Sequence, residues 1–408
     1  MAGDSLSVTQ TGLQGVDTAM QAVSDNLANA QTTGFQAESI EFATLLGEYV
    51  AGNPLGGGVT VQGINRDFSQ GAIVQSNSPT DLAIQGNGFF VLQDPSGNIT
   101  YSRNGHMVVG NNGDLLGFNG TNVMGYAVNA AGNPSGVLAP VVIPQGVLAP
   151  TASTKASLSG NLDAGSPVLS GAINPADPTT YNTSVSMQVF DSLGNSHVLT
   201  YFYQNAGPSG GNEQWNWLAT LDGSTAGLGG NSGTVAFDTT GKLVSGGTPG
   251  ALTATITGAA SLNLSQNFSA LTQYAAASAM TGTADGNAVG HPLSVQVDNN
   301  GLVSIAYSNG QNVNIAKVAV ATFPSEQGLQ LSSGGVYEQS QASGQPTIAT
   351  AGAGAAGTIR PSSLENSNVD TTKQLISLVV LQRSFQSNAK ALQTEDNILG
   401  TLMQLQTT

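Results

Sequence analysis

The chain has 408 residues, which is enough for two to four domains with cores of their own. Only 8% of the residues are charged, and 24 acidic residues against nine Lys and Arg give a formal net charge of -15. The scattered basic residues exclude a phosphate-binding stripe for nucleic acid, and the absence of cysteine excludes disulfides and thiol chemistry.

The N-terminal region lacks the features of a cleaved targeting signal. No Lys or Arg precedes Arg66, whereas a secretory signal needs a basic segment and a transit peptide needs arginines. No apolar run approaches the roughly 18 residues of a membrane-spanning helix. We therefore expect no membrane insertion and, if the protein leaves the cytoplasm, export without a cleaved signal peptide.

A heptad pattern predicts a helix at the N-terminal end. Apolar residues recur in alternating steps of three and four, with Thr9 at one position, and Asp4 is a suitable N-cap. Such a narrow apolar stripe is typical of a coiled coil. Its members are Leu6, Leu13, Val16, Met20, Val23 and Leu27.

The middle of the chain reads as β-structure. Short runs of alternating apolar and polar residues are separated by turn residues, which predicts strands joined by hairpins. In "SVSMQVF" the residues Val185, Met187 and Val189 share one face, and Asp191 to Gly194 suits a type I turn. Gly-rich and Pro-rich stretches divide this part of the chain into three blocks, 70–150, 151–283 and 284–362.

A second heptad pattern predicts a long helix at the C-terminal end. The segment from about Thr371 to Leu405 contains no proline, and Leu378, Phe385, Leu392 and Leu399 are spaced by sevens. This segment carries three basic residues, whereas residues 1–30 are acidic without a base, so the two helices should attract each other. The alternative is that both helices cover a sheet within a monomer.

The sequence contains no convincing catalytic, metal or cofactor site. Asp191, Ser192 and His197 are close in sequence, but they straddle a predicted turn in which Asp and Ser are ordinary turn formers. The lone "GNGF" lacks the helix that a phosphate site needs, and the remaining histidines have no partner at metal-ligand spacing. The acidic residues beside turn glycines suggest hairpin loops, with isolated calcium sites as the open alternative.

Two tryptophans admit two interpretations. Trp215 and Trp217 lie near a run of aromatic residues at 201–203. They are either the core of a small β-barrel or sandwich, which we favour, or a sugar-binding surface.

Ordered motifs over nearly the whole chain resemble the rod and hook subunits of the bacterial flagellar axis. "NLANAQTTGFQ" is similar to a segment that these subunits share, "SPTDLAIQGNGFFVLQD" followed by "YSRNGHM" resembles the start of their first β domain, and "LENSNVD" with "LQRSFQSNAKALQTED" resembles their C-terminal helix. Gln36 stands where the family often has Lys, and Phe385 where Tyr is common. The matching positions are Asn26, Leu27, Ala28, Asn29, Thr32, Gly34, Phe35, Asn368, Val369, Asp370, Gln382, Arg383, Asn388, Ala389 and Lys390.

The resemblance implies a multidomain α+β architecture with four parts. Residues 1–69 and 363–408 supply terminal helices that pair as a coiled-coil-like inner domain. Blocks 70–150 and 284–362 form one discontinuous all-β domain, and 151–283 is an inserted outer β-barrel or sandwich. Phe35 is expected to anchor the segment that leaves the first helix. The two apolar stripes, including Leu378, Phe385, Leu392 and Leu399, are expected to pack subunits together.

The implied function is structural. The large middle block favours a hook subunit, which polymerises into a curved flexible tube that transmits torque from rod to filament outside the cell. The implied partners are copies of the same chain, the rod, the hook cap, the hook–filament junction proteins and the export apparatus, with no cofactor. The alternatives are a distal rod or other axial protein and, from a different class, a secreted carbohydrate-binding or adhesive β protein.

Overall fold

The computed structural model describes residues 2–50 and 53–406, which form two long helices and 28 short strands. Helix α1 spans Ala2–Ala28, and helix α2 spans Thr371–Gln406. The predicted extent of the C-terminal helix is confirmed, whereas Asp4 lies inside α1 and is not its N-cap. Neither described helix has an apolar stretch long enough to cross a membrane.

The chain divides into two compact units. The first contains Met1–Gln145, Ser294–Ala306 and Asn312–Thr408, and the second contains Gly146–Leu293 and Tyr307–Gln311. The first unit therefore holds both helices together with β-sheets. The finer four-part division stays a prediction.

A long hairpin follows α1 in a segment where no strand was predicted. Strands β1 (Glu38–Val50) and β2 (Asn53–Arg66) pair with each other alone. A two-stranded ribbon is marginal in water. This ribbon lies against α1, where a Cβ added to Gly15 would be 3.1 Å from the Phe42 ring and 3.3 Å from Val59. The small side chain at Gly15 thus permits close packing of helix and ribbon.

The first unit continues with eight short strands. They are β3 (Ile73–Gln75), β4 (Leu82–Gln85), β5 (Phe89–Gln93), β6 (Ile99–Ser102), β7 (Met107–Val109), β8 (Leu115–Gly117), β9 (Asn122–Val128) and β10 (Pro134–Pro140).

Ten strands, β11–β20, follow in the second unit. They are β11 (Lys155–Asp163), β12 (Thr183–Phe190), β13 (Ser196–Ser209), β14 (Asn212–Leu221), β15 (Leu228–Gly229), β16 (Ser232–Phe237), β17 (Leu243–Ser245), β18 (Leu252–Ala254), β19 (Leu262–Tyr274) and β20 (Ala279–Ala284).

The last eight strands lead to α2 and complete the sheets of the first unit. They are β21 (Pro292–Val297), β22 (Leu302–Tyr307), β23 (Asn312–Thr322), β24 (Gln330–Ser332), β25 (Val336–Glu338), β26 (Thr347–Thr350), β27 (Thr358–Pro361) and β28 (Ser363–Glu365). The main sheet has the order β21-β22-β23-β9-β5-β6-β25-β24, while β27 pairs with β4 and β28 with β3. Strands distant in sequence therefore share one sheet.

The second unit is a sandwich and not a closed barrel. Its two five-stranded sheets have the orders β15-β18-β19-β11-β20 and β12-β13-β14-β16-β17. Apolar side chains from both sheets form one buried core, with Trp215 fully buried and Trp217 2% exposed. Phe268 packs edge-on against Tyr201 and Trp217, with ring centroids 5.4 and 5.2 Å apart. The prediction that the tryptophans belong to a core is confirmed, and a closed barrel is wrong.

Five hairpin loops share one design, in which an Asp or Asn is followed three residues later by Gly. The Gly N–H donates to the backbone oxygen of the first residue, as Gly194 does to Asp191 at 3.1 Å, which confirms the predicted turn. The side chain accepts from the N–H four residues on, at 2.8 Å from Asn98 to Asp94 and 3.0 Å from Asn133 to Asn129. Two further loops of this design begin at Asp238 and Asp298. These side chains close turns with their own backbone.

Candidate functional site: the terminal helices and their joint to the β-sheets

The two terminal helices lie side by side and run in opposite directions. The hydroxyl of Thr9 donates to the carboxylate of Glu395 at 3.3 Å, and a Cβ added to Gly12 would lie 3.2 Å from the amide of Asn388. Gly12 thus lets α2 approach α1 closely. This contact joins a neutral hydroxyl to a carboxylate, and the predicted attraction between the acidic and the basic helix stays a prediction.

The predicted packing stripes are only half-buried within one chain. Ala19, Ala22 and Asn26 form the buried face of α1 together with Gly15, whereas the predicted stripe lies beside that face. Phe385 is 36% exposed. The remaining predicted positions, Leu6, Leu13, Val16, Met20, Val23, Leu27, Leu378, Leu392 and Leu399, are all intermediate in burial. Their role in subunit packing stays a prediction.

The first turns of α2 leave large apolar side chains in solvent. Within Leu375–Leu381 every residue except Ser377 is apolar. The exposed fractions are 50% for Leu375, 62% for Ile376, 47% for Val379 and 58% for Val380. We call these four side chains the α2 patch. A helix that is apolar on all sides is normally buried, and one partner helix covers only one side of it.

Asn26 fastens the end of α1 to the start of β1. Its side chain is fully buried, its amide nitrogen donates to the Glu38 carbonyl at 2.7 Å, and its amide oxygen accepts from the Glu38 N–H at 2.7 Å. Both backbone groups of one residue are thus satisfied by one side chain. Asn offers a donor and an acceptor at this length, which explains the residue type at this motif position.

Between Asn26 and β1 the chain turns tightly. Thr32 donates its N–H to the Asn29 carbonyl at 3.0 Å and its hydroxyl to the Asn29 side chain at 3.1 Å. Gly34 has φ of 71°, and a Cβ there would lie 2.5 Å from the Asn104 nitrogen. Gly34 is therefore required both by its left-handed conformation and by close contact. Leu27 and Ala28 precede this turn in the last turn of α1.

Asn368 ties three crossing segments together just before α2. Its amide oxygen accepts from the Ala37 N–H at 2.7 Å. Its amide nitrogen lies 2.6 Å from the Asp67 carbonyl, 3.0 Å from the Ser69 carbonyl and 3.2 Å from Oε1 of Gln36. The segments that lead from α1, from the hairpin and into α2 thus meet at one side chain. We call this place the joint.

The remaining motif residues divide between the joint and the body of α2. Asp370 caps α2, because its carboxylate accepts from the Lys373 N–H at 3.1 Å, and Val369 precedes it half-buried. Gln382, Arg383 and Lys390 are exposed on α2, and Ala389 is half-buried. Phe35 is half-buried and lines a cavity of about 170 Å³ with Tyr337 and Phe118. Its expected role as the anchor stays a prediction.

A buried ion pair that the sequence analysis missed connects the joint to the β-sheets. Arg103 and Glu365 are 2% and 0% exposed, with Nη1 and Oε2 3.3 Å apart. Glu365 also accepts from the Gly71 N–H with its other carboxylate oxygen at 2.9 Å and from the Gly34 N–H with its carbonyl at 2.8 Å. The guanidinium lies 5.3 Å from the centre of the Phe89 ring. Because both side chains are buried, loss of either partner would leave an uncompensated buried charge.

A second ion pair and a buried phenol lie at the edge of the joint. Arg66 and Glu38 are 2.8 Å apart, and the Gln327 side chain donates to the Arg66 carbonyl at 2.6 Å. Burial raises the pKa of Tyr337 to about 12, so its hydroxyl stays protonated at neutral pH. The edge of the joint thus holds one ion pair and a neutral phenol.

Asp191, Ser192 and His197, which are close in sequence, are not arranged as a catalytic triad. The Ser192 hydroxyl accepts from the Ala260 N–H at 3.0 Å, while Nδ1 of His197 lies 2.7 Å from Asp222. Among the described residues, no three His, Asp or Glu side chains are placed to hold a metal ion.

Three family models match successive parts of the chain. Residues 83–161 match the flagellar hook protein FlgE/F/G D1 domain, and 161–287 match the flagellar basal body protein FlaE D2 domain. Residues 360–405 match the flagellar basal body rod FlgEFG protein C-terminal model. The last match covers α2 and the strand before it.

Full-length relatives distinguish hook from rod. The flagellar hook protein FlgE of Salmonella typhimurium is 34% identical, with 98% of this chain and 100% of that protein covered. FlgE of Escherichia coli K12 is 32% identical over 97% of this chain and 98% of its own, and FlgE of Treponema pallidum is 31% identical over the same shares. The crystal structure of Helicobacter pylori FlgE2 shares the fold, with a TM-score of 0.54, 16% identity, and coverage of 72% of this chain and 100% of that chain. The chain therefore belongs to the flagellar hook proteins, and it is a structural subunit of the hook and not an enzyme.

Proposed function

We propose that the chain polymerises through its terminal helices into the curved, flexible tube of the flagellar hook and transmits torque from rod to filament. The observation that carries this proposal is the α2 patch, whose side chains are 47–62% exposed in a single chain. Complete burial of a Val, Leu or Ile side chain stabilises by about 1.5–3 kcal/mol. Neighbouring copies that cover the patch gain a large part of that free energy at every subunit.

The proposed arrangement places the helices inside and the β-sheets outside. The helices pair as a coiled-coil-like inner domain that lines the axial channel, and the half-buried stripe around Leu13, Met20 and Leu392 supplies further contacts between copies. The outer sandwich has its own sealed core, and it contacts neighbours through sparsely charged surfaces. Such contacts are weak and exchangeable, as a tube requires when its sides lengthen and shorten during rotation.

The joint supports the mechanical part of the proposal. Torque passes between inner helices and outer sheets through the segments that Asn26 and Asn368 fasten, and both side chains use donor and acceptor together. Hydrogen bonds at short range resist shear without a large buried surface. The joint therefore lets helices and sheets move as one body.

The proposed partners follow from the place of a hook in the flagellum. The chain binds copies of itself, the rod below, the hook cap during growth, the junction proteins towards the filament and the export apparatus. It is exported without a cleaved signal peptide and binds neither nucleic acid nor membrane.

Val380→Asp tests the proposal, since it places a charge in the α2 patch at a position that is exposed in the single chain. We expect an unchanged unfolding curve for the subunit and loss of polymer in sedimentation and electron microscopy, because burial of an unpaired carboxylate is strongly unfavourable. Val380→Ile is the matched control and should polymerise. Normal tubes from Val380→Asp would overturn the proposal that this patch holds copies together.

A further inference from the structure

One turn of the sandwich lies at the base of the second unit, where the chain enters and leaves it. A Cβ added to Gly194 would lie 2.7 Å from Pro150 Cβ and 3.2 Å from the Val289 nitrogen. Pro150 follows the entry at Gly146, and Val289 precedes the exit at Leu293. The turn Asp191–Asn195 is therefore packed against the chain near the entry at Gly146 and near the exit at Leu293.

His197 joins this turn to a second turn. Its Nδ1 lies 2.7 Å from Asp222 Oδ2, and its Nε2 lies 3.6 Å from Asp191 Oδ2 without a hydrogen-bond partner. The imidazole is 17% exposed, Asp191 is 1% exposed and Asp222 is 53% exposed. One ring thus stands between two carboxylates from two different loops.

Asp222 is held in an unfavourable conformation by this contact. It has φ of 52°, which non-glycine residues rarely adopt, and it follows β14. Its Oδ1 accepts from the Val198 N–H at 2.8 Å while Oδ2 faces the imidazole. Both carboxylate oxygens therefore fasten this loop to β13.

We propose that Asp191, His197 and Asp222 form a pH-dependent latch that holds the two loops together at the base of the second unit and opens as the medium becomes alkaline. The protonated imidazole donates from both nitrogens towards a carboxylate. The neutral imidazole keeps only the hydrogen bond to Asp222 and carries no charge, so its attraction to Asp191 is lost and the link between the two loops weakens.

The pKa of His197 is consistent with this geometry. The hydrogen bond to Asp222 raises the pKa of the imidazole above 6.5, and the nearby Asp191 acts in the same direction. The charged groups that face the ring are these two carboxylates, and its cross-strand neighbour on β12 is the apolar Val189. A raised folded-state pKa means that the latch contributes fully below 6.5 and is lost as pH rises through the folded-state value.

The chain offers a simple spectroscopic test because it has three histidines. In the full-length chain labelled with ¹³C at histidine Cε1, His197→Gln removes and so assigns one signal. We expect that signal to titrate above pH 6.5 in the unmodified protein. Asp222→Asn should lower its pKa, because the negative charge is lost while Asn still tolerates the left-handed backbone.

Thermal unfolding tests whether titration opens the latch. His197→Gln should melt below the unmodified protein at about pH 5.5, and the difference should vanish at about pH 9. His291→Gln, at an exposed site, is the control and should show no such pH-dependent difference. An assigned signal that titrates at or below pH 6.5, no response to Asp222→Asn, or a melting difference independent of pH would each overturn the latch.

Discussion

The sandwich of the second unit and the terminal helices treat apolar surface in opposite ways. Trp215 and Phe268 are fully buried between two sheets, whereas Ile376 and Val380 on α2 are 62% and 58% exposed. Two facing sheets enclose a core, but two paired helices cover only one side of each other. The sandwich is thus complete within one chain, whereas under the proposal above the helices are completed by neighbouring copies.

The joint lies within the first unit and depends on polar contacts more than on buried area. Asn26 and Asn368 each serve several backbone groups, and Glu365 serves Arg103, Gly71 and Gly34. Substitutions in the sandwich, the joint and the loops should therefore differ in how much stability they remove and in which measurement detects the loss.

The largest expected loss of stability comes from the sandwich core. Trp217→Ala should lower the free energy of unfolding of the second unit by about 3–5 kcal/mol, because it leaves a cavity beside Tyr201 and Phe268. Denaturant unfolding of the full chain, followed by intrinsic fluorescence, measures this loss. Trp217→Phe should lose less, and a stable Trp217→Ala would show that the core is not sealed.

Gly34→Ala sharpens the comparison at the joint. Alanine at φ of 71° costs about 1–2 kcal/mol, and the approach to Asn104 adds a steric cost. Gly120→Ala is a matched control, since Gly120 has φ of 70° with nothing within 4 Å of the added Cβ. We expect Gly34→Ala to lower the unfolding free energy clearly more than Gly120→Ala, and equal losses would contradict the tight turn.

Asn368→Ala tests the junction of the three segments directly. The Ala37 N–H loses its acceptor, and an unsatisfied partly buried donor costs about 1–3 kcal/mol. Faster hydrogen exchange at the Ala37 and Glu38 amides is the expected readout. Asn366→Ala, two residues earlier at an exposed position, should leave that exchange unchanged. Equal exchange in both variants would remove Asn368 from the joint.

The smallest effect should appear in the hairpin loops at low pH. The hydrogen bond from the Asn98 side chain lowers the pKa of Asp94 from 3.8, so its contribution is present above that value and is lost as pH falls through the lower folded-state pKa. The melting temperature of Asp94→Asn should fall less at low pH than that of the unmodified protein. Asn129→Asp, in the loop of the same design, should gain acid dependence, and no change in either variant would contradict this role of the loops.

Local patterns in the sequence predicted the elements that depend on local chemistry. The limits of α2 follow from its proline-free heptads, the turn at Asp191 follows from Asp and Gly spacing, and the burial of the tryptophans follows from the nearby run of aromatic residues. These features need no knowledge of distant contacts.

The missed features depend on contacts between distant residues. The hairpin β1–β2 contains a Gly-rich stretch that indicated a boundary between blocks, and it packs against α1 at Gly15. Arg103 and Glu365 lie 262 residues apart, so no spacing links them, although both stand within motifs that the sequence analysis had quoted. The sandwich was not separable from a barrel, because strand alternation is the same in both.

One measurement compares the terminal helices with the sandwich most directly. Because the chain has no native cysteine, only the introduced cysteine reacts. Single cysteines at Val380 in the α2 patch and at Ser209, exposed in the sandwich, are treated with a maleimide reagent before and after polymerisation. We expect Val380→Cys to react readily in the subunit and to be protected in the tube, while Ser209→Cys reacts in both. Equal reactivity of Val380→Cys in subunit and tube would contradict the claim that the helices are completed by neighbouring copies.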